Sequence, residues 1–149
     1  MYGFSPFTPN DQATVLRLMH DFYTIDQYPF DAEKAGELFN QFVADPTLGQ
    51  GYLITHNGAV AGYLLLSYFF SFEFGGRMAL VDELYIDAAH RGKGLGQRAI
   101  EHAKAQMKSL NIVGYYLEVE PHNEVAKKLY LGQGFEQHKR GFMRYTPNV

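Results

Sequence analysis

The chain has 149 residues, a formal net charge of -3 at pH 7 and no cysteine. That length suits one domain with a full apolar core, and the lack of cysteine excludes disulfide staples, thiol nucleophiles and cysteine-held zinc or iron–sulfur centres. The acidic balance argues against nonspecific nucleic-acid binding, and the longest apolar run, Tyr63 to Phe70, is broken by Ser67 and falls far short of the ~20 residues of a membrane span.

Met1 to Pro9 lacks the basic start and apolar run of a signal peptide, so a cytoplasmic location is expected. A short first strand is expected around Tyr2 to Phe7. Thr8-Pro9-Asn10-Asp11 then reads as a helix start, with Thr8 as cap, Pro9 in the first position and Asp11 near the positive end. Val15, Leu16, Leu18, Met19, Phe22 and Tyr23 form one apolar helical face. A second helix begins near Asp31 and carries Ala35, Leu38, Phe39, Phe42 and Val43 at three-and-four spacing. In the connecting DQYPF, Tyr28 and Phe30 either staple the helices to a sheet or line a cleft.

From Gly51 the pattern turns extended. GYLIT, a hairpin turn at His56-Asn57-Gly58, AVAGYLLLSYFFSF, a second turn at Gly75-Gly76 and MALVDELYI predict three antiparallel strands. A helix is predicted over Leu95 to Leu110, with Leu95, Ala99, Ile100, Ala103, Met107 and Leu110 buried. GYYLEVE gives a further strand, and a short helix runs from Asn123 to Leu131, ending at Gly132 or Gly134. Phe135 onward suggests a final hairpin turning near Gly141. No repeat, low-complexity tract or linker interrupts the chain, so residues 1–149 read as a single domain.

The most informative stretch is Asp82 to Gln97, DELYIDAAHRGKGLGQ, where a strand runs through a glycine-rich turn into an amphipathic helix. The first amides of a helix lack intrahelical partners, the helix dipole adds partial positive charge there, and glycine lets backbone approach an anion closely. Gly92, Gly94 and Gly96 supply the closeness, and Arg91 and Lys93 supply formal charge. The plainer alternative is an ordinary strand-to-helix loop. The P-loop of nucleotide hydrolases fails because Gly92-Lys93 is followed by Gly94 rather than Ser or Thr. The dinucleotide fingerprint fails because Gln97 stands where its last glycine belongs, although Glu118 lies at a suitable distance for a ribose contact.

Arg91-Gly92-Lys93-Gly94-Leu95-Gly96 resembles the pyrophosphate loop, Q/R-x-x-G-x-G/A, of the GNAT superfamily of acyl-CoA N-acetyltransferases. The superfamily's second signature is similar to Asn123, Ala126, Tyr130 and Gly134-Phe135 in order after a strand. The resemblance covers residues 79 to 136. It implies an α/β fold of the α+β type: a GNAT-like twisted, mixed and mostly antiparallel sheet of about seven strands, with helices on both faces. It implies acetyl-CoA as acyl donor, with the backbone of Gly92, Lys93, Gly94, Leu95, Gly96 and Gln97, beside Arg91, holding the pyrophosphate. Leu84, Tyr85 and Ile86 would pair with pantetheine where the strands containing Tyr85 and Leu117 part, and Asn123 and Ala126 would contact the cofactor. Asn123 also suits a helix cap.

Acyl transfer to an amine of pKa ~10.4 needs a proton acceptor near neutral pH. The candidates are Asp82, Glu83 and Glu118, and strand alternation sets Asp82 and Glu83 on opposite faces, so at most one of that pair is expected to reach the amine. The resemblance points to the position of Asp82, while LEVE resembles members using a glutamate at the position of Glu118. The same resemblance implies Tyr130 as proton donor to the departing thiolate, against a plain role as a packed helix aromatic. Amides on the parting strand, such as that of Leu84, would polarise the thioester carbonyl. The six histidines lack the spacing of a metal-binding helical pair, and no metal is expected. Glu73, Asp82 and Glu83 with Tyr28, Phe30, Phe72 and Phe74 suit a small cationic amine, polyamine-like or aminoglycoside-like. A protein or peptide amine is the enzymatic alternative, and a non-catalytic acyl-CoA-binding sensor is the alternative of another class. The aromatic content of 15% and the C-terminal hairpin permit a homodimer without requiring one.

Overall fold

Apolar alternation in the middle of the chain produces a sheet built largely by sequential hairpins. The computed structural model describes residues 1–148, in two compact units, Met1–Glu118 and Val119 onward. The first unit holds strands β1 (Tyr2–Pro6), β2 (Gly49–His56), β3 (Ala59–Ser71), β4 (Gly76–Ile86) and β5 (Gly114–Tyr116). Its helices are α1 (Gln12–Ile25), α2 (Ala32–Ala44) and α3 (Leu95–Ala105). The sheet order is β1-β2-β3-β4-β5, antiparallel except for the parallel pair β4–β5, which α3 connects as a crossover.

Local chemistry explains several boundaries. Asn57 and Gly58 both take positive φ, 51° and 82°, as a tight hairpin turn with right-handed strand twist requires. The amide of Thr8 donates to Asp11 Oδ2 at 2.7 Å at the entry to α1, and Asp31 caps α2 by accepting from the Lys34 amide at 3.1 Å.

Both sheet faces are covered. Leu53, Tyr63 and Tyr85 stand opposite one another across β2, β3 and β4 and pack with Val15 and Leu18 of α1, Phe39 of α2 and Phe7. On the other face, His102 of α3 stacks on Phe4 with centroids 4.4 Å apart and meets Tyr52 edge-on at 4.6 Å. Tyr115 adds a hydrogen bond from its hydroxyl to the Ala103 carbonyl at 2.6 Å. Leu95, Ala99, Ile100 and Ala103 are buried, in agreement with the predicted stripe, whereas Met107 and Leu110 lie in turns beyond α3 and are only partly buried.

The sheet has five strands rather than about seven. Of GYYLEVE only Gly114–Tyr116 is strand, and no strand follows it among the described residues. The last β4–β5 pair is Leu80–Tyr116, and β4 carries an extra residue, Asp82, between Val81 and Glu83 in its pairing with β3. Such a bulge bends its strand, and here it falls just past the last shared pair. The predicted hairpin from Phe135 is absent, and residues 136–148 are exposed; a lone two-stranded ribbon has too little buried surface to be stable by itself. α3 also ends early, at Ala105, and the turns that follow place Asn111 at φ 56°. No helix of the described residues is long and apolar enough to cross a membrane.

The second unit contains α4 (Glu124–Gly132). Asn123 caps it, accepting from the Ala126 amide at 3.1 Å. Gly134, at φ 91°, closes the other end while the Phe135 amide donates to the Tyr130 carbonyl at 3.0 Å.

Gly62 fixes the approach of β3 to β4, because a Cβ there would lie 1.9 Å from the Tyr85 carbonyl oxygen. That clash is with backbone, so relief requires the strands to shift. Gly62→Ala should destabilise the protein by about 1–3 kcal/mol in urea unfolding.

Candidate active site

Two features of the first unit converge on β4. The first is the loop leading into α3. Gly92 and Gly94 take φ of 76° and 78°, conformations that favour glycine, and a Cβ on either would meet nothing within 4 Å. The space over the loop is therefore open. The Arg98 amide bonds the Gly94 carbonyl at 3.1 Å, which leaves the amides of Leu95, Gly96 and Gln97 in the first turn without intrahelical acceptors. The loop is braced from below. Arg91 Nε donates to the Ile86 carbonyl at 2.9 Å, Lys93 Nζ to the Ala89 carbonyl at 3.4 Å, and His90 Nδ1 sits 2.6 Å from Asp87 Oδ1.

Beside the loop, β4 from Asp82 to Ile86 pairs with β3 on one side only, because β5 stops pairing at Leu80. Leu84, Tyr85 and Ile86 thus lie on a one-sided strand that ends six residues before Gly92, the first loop glycine. An open edge and unpaired helix-terminal amides fit an extended ligand with an anionic diphosphate.

The second feature is a cleft of about 480 Å³ between α1, α2 and the sheet, with walls including Phe7, Met19, Phe30, Leu38, Phe39 and Phe42. Both Asp82 and Glu83 line it. Alternation alone would separate them, and the bulge at Asp82 is the reason it does not. Tyr23 donates from its hydroxyl to Glu83 Oε2 at 2.6 Å, and the fully buried Tyr63 donates to Oε1 at 2.5 Å. Ser67 donates to Asp82 Oδ2 at 3.2 Å.

Burial pushes the Glu83 carboxyl above its ordinary range. The Tyr23 and Tyr63 hydrogen bonds pull it back down, and the neighbouring Asp82 charge pushes it up again; the net direction is up. Burial, followed by the bond to Glu83, raises the Tyr23 phenol well above its usual value, so both tyrosines remain protonated donors.

Of the residues expected at the site, Asp82, Glu83 and Phe30 line the cleft, whereas Tyr28, Glu73 and Glu118 do not. Glu73 lies instead in the turn between β3 and β4, and Glu118 follows the end of β5. In the second unit, Tyr130 packs edge-to-face with Phe135 at 5.7 Å, and burial raises its phenol pKa. Tyr23 and Tyr63 were absent from the expected set. Tyr63 sits in an apolar strand run and Tyr23 on the apolar face of a helix, patterns that read as core, and nothing local marks their hydroxyls as partners of Glu83. Among the described residues no group of three or more His, Asp or Glu side chains could hold a metal ion.

A family model described as the Acetyltransferase (GNAT) family matches residues 14–135. Among solved structures, an integron cassette protein from the mobile metagenome of Cole Harbour Salt Marsh is 26% identical with a TM-score of 0.87, covering 98% of this chain and 91% of that one. A possible acetyltransferase from Clostridium difficile 630 is 18% identical with a TM-score of 0.89 over 100% and 99% of the two chains. A predicted acetyltransferase from Clostridium acetobutylicum, in a structure with acetyl-CoA, is 13% identical with a TM-score of 0.80 over 97% and 96%. The latter two likenesses bear on the fold alone. No curated protein matches the chain.

The clamp on Glu83 can be tested through stability. Tyr63→Phe removes a donor from a half-buried carboxylate and should cost about 1.5–3 kcal/mol in urea unfolding at neutral pH. The cost should shrink in acid, where Glu83 is protonated and the lost bond joined two neutral groups.

Proposed function

The chain belongs to the GNAT family of acetyltransferases, and on that premise we propose that it transfers the acetyl group of acetyl-CoA to a small primary amine by direct attack, with Glu83 as proton acceptor. The observation that carries this reading is the position of Glu83 in a cleft lining, held by two tyrosine hydroxyls and with its proton affinity raised.

The acceptor amine, with a pKa of ~10.4 in water, arrives as an ammonium and must lose a proton before its lone pair can attack. A carboxylate has about four lone-pair sites, and Tyr23 and Tyr63 occupy one on each oxygen. Capacity for the ammonium remains, and the two fixed oxygens restrict where it can sit. Desolvation moves the base closer to neutral pH, which makes proton transfer to it less uphill. Asp82, exposed at the same cleft, adds attraction for the cation. Glu118 stands outside the cleft lining, which favours Glu83 over it as acceptor.

Acetyl-CoA supplies the acetyl group as a thioester when bound. The residues that would hold it are the amides of Leu95, Gly96 and Gln97, the glycines before them, and the open edge of Leu84, Tyr85 and Ile86. Arg91 and Lys93 would add positive charge, although both side chains also donate to backbone carbonyls and so brace the loop. For the second unit the proposal carries over from the family resemblance alone. By that resemblance Asn123 and Ala126 would contact the cofactor, and Tyr130 would supply a proton to the departing sulfur.

A thiol-release assay with a panel of amines tests the reading. Glu83→Gln should lower kcat/KM by about 10²–10⁴-fold while leaving CoA affinity in place. In the native protein kcat/KM should rise with pH through an ionisation above the usual carboxylate range, and that limb should vanish in the variant. Tight CoA binding with no turnover of any amine would instead support a sensor module. Gly94→Ala forces a side chain into the left-handed region at a cost of roughly 1–2 kcal/mol. It should raise the KM for acetyl-CoA more than it changes kcat.

A further inference from the structure

We propose that the acceptor is a primary amine carried on an apolar, ring-bearing body, with its ammonium at Asp82 and Glu83 and its body in the cleft between α1 and α2. This deepens, and rests on, the amine acetylation proposed above.

The cleft lining combines two chemically different sets of groups. Asp82 and Glu83 of β4 supply the carboxylates, while Phe7, Met19, Leu38, Phe39 and Phe42 make apolar walls. Phe30 stands edge-on to Tyr23, with centroids 5.6 Å apart at 85°, so a ring edge reaches toward the tyrosine that holds Glu83. About 480 Å³ lies within the range of small-molecule sites, roughly 300–1,000 Å³. The volume therefore accommodates a body far larger than the ammonium alone.

The same lining disfavours the more polar amines. A second ammonium in the chamber would meet aromatic and aliphatic walls, and an unpaired charge taken from water is costly. The remaining carboxylate of the lining, Asp31, accepts the Lys34 amide as a helix cap and stands close in sequence to the Lys34 charge, itself 3.6 Å from Glu37. It offers a second cation no isolated counter-charge. A polyhydroxylated amine would need a partner for each hydroxyl it buries, and apart from the charged groups and the engaged Tyr23 and Ser67 the lining provides Gln41.

Steady-state kinetics with acetyl-CoA test this on the whole chain, using the n-alkylamines from propyl to hexyl, 2-phenylethylamine, spermidine, kanamycin and a lysine-containing peptide. The expected result is that kcat/KM rises about four-fold per methylene and that 2-phenylethylamine exceeds spermidine, kanamycin and the peptide by at least ten-fold. A flat alkyl series, or preference for any of the other three, overturns the proposal and leaves amine acetylation standing. If no amine turns over, amine acetylation falls. Calorimetry of 2-phenylethylamine on the CoA-loaded protein then decides the cleft assignment, which binding upholds and absence of binding overturns. Ala35→Phe, which places a ring in the cleft, should raise KM for 2-phenylethylamine at least ten-fold without altering CoA affinity. Should that variant fail to fold, Leu38→Gln at a half-exposed cleft position should flatten the chain-length dependence, and an unchanged slope counts against the proposal.

Discussion

The candidate site depends on a half-buried carboxylate held by neutral donors alone. Glu83 would be a liability in an apolar cleft if its oxygens had no donors, since an unsatisfied buried carboxylate loses its hydration without return. Tyr23 from α1 and Tyr63 from β3 meet that need, one on each oxygen. Their rings at the same time belong to the apolar layer between helices and sheet, where Phe22 contacts Tyr23, Tyr63 and Tyr85. Helix packing and carboxylate placement are therefore one constraint. Moving α1 would loosen the core and release Glu83 together.

The bulge at Asp82 serves both halves of the site. It breaks the two-residue period of β4 at one position, so that consecutive acidic residues line one cleft. It also lies two residues past the last pair between β4 and β5, where the strand has become one-sided toward the loop. A regular strand would have sent one carboxylate to the α3 face, where it would have had to displace apolar packing. An extra residue is a small departure from regularity, and here it brings both carboxylates into the cleft lining.

What the sequence disclosed follows the range of the interactions involved. The loop Arg91 to Gly96, the Asn57-Gly58 turn, the caps at Asp31 and Asn123 and the stripe of α3 are local, fixed by residues within a turn or two of each other. The clamp on Glu83 joins residues 60 and 20 positions apart. No periodicity marks such a pair. The bulge was equally silent, because DELYI reads as regular alternation. Tyr28 and Glu73 were expected at the site for their chemistry and their place between elements, and the cleft formed without them. Phe30, two residues from Tyr28, does line it. The C-terminal hairpin was expected from alternation in a segment where the described residues are exposed and form no ladder.

The choice of tyrosine as the donor to Glu83 bears on its chemistry. An arginine or lysine in the same place would satisfy the carboxylate, but its charge would hold the carboxyl below the ordinary range and weaken it as a base. Two neutral hydroxyls supply hydrogen bonds and no counter-charge. No cation figures among the groups that shift Glu83, and the neighbouring Asp82 acts in the opposite sense. The arrangement thus lacks one positive charge. On the proposed reading an arriving ammonium would supply it and, on giving its proton to Glu83, would become a neutral amine.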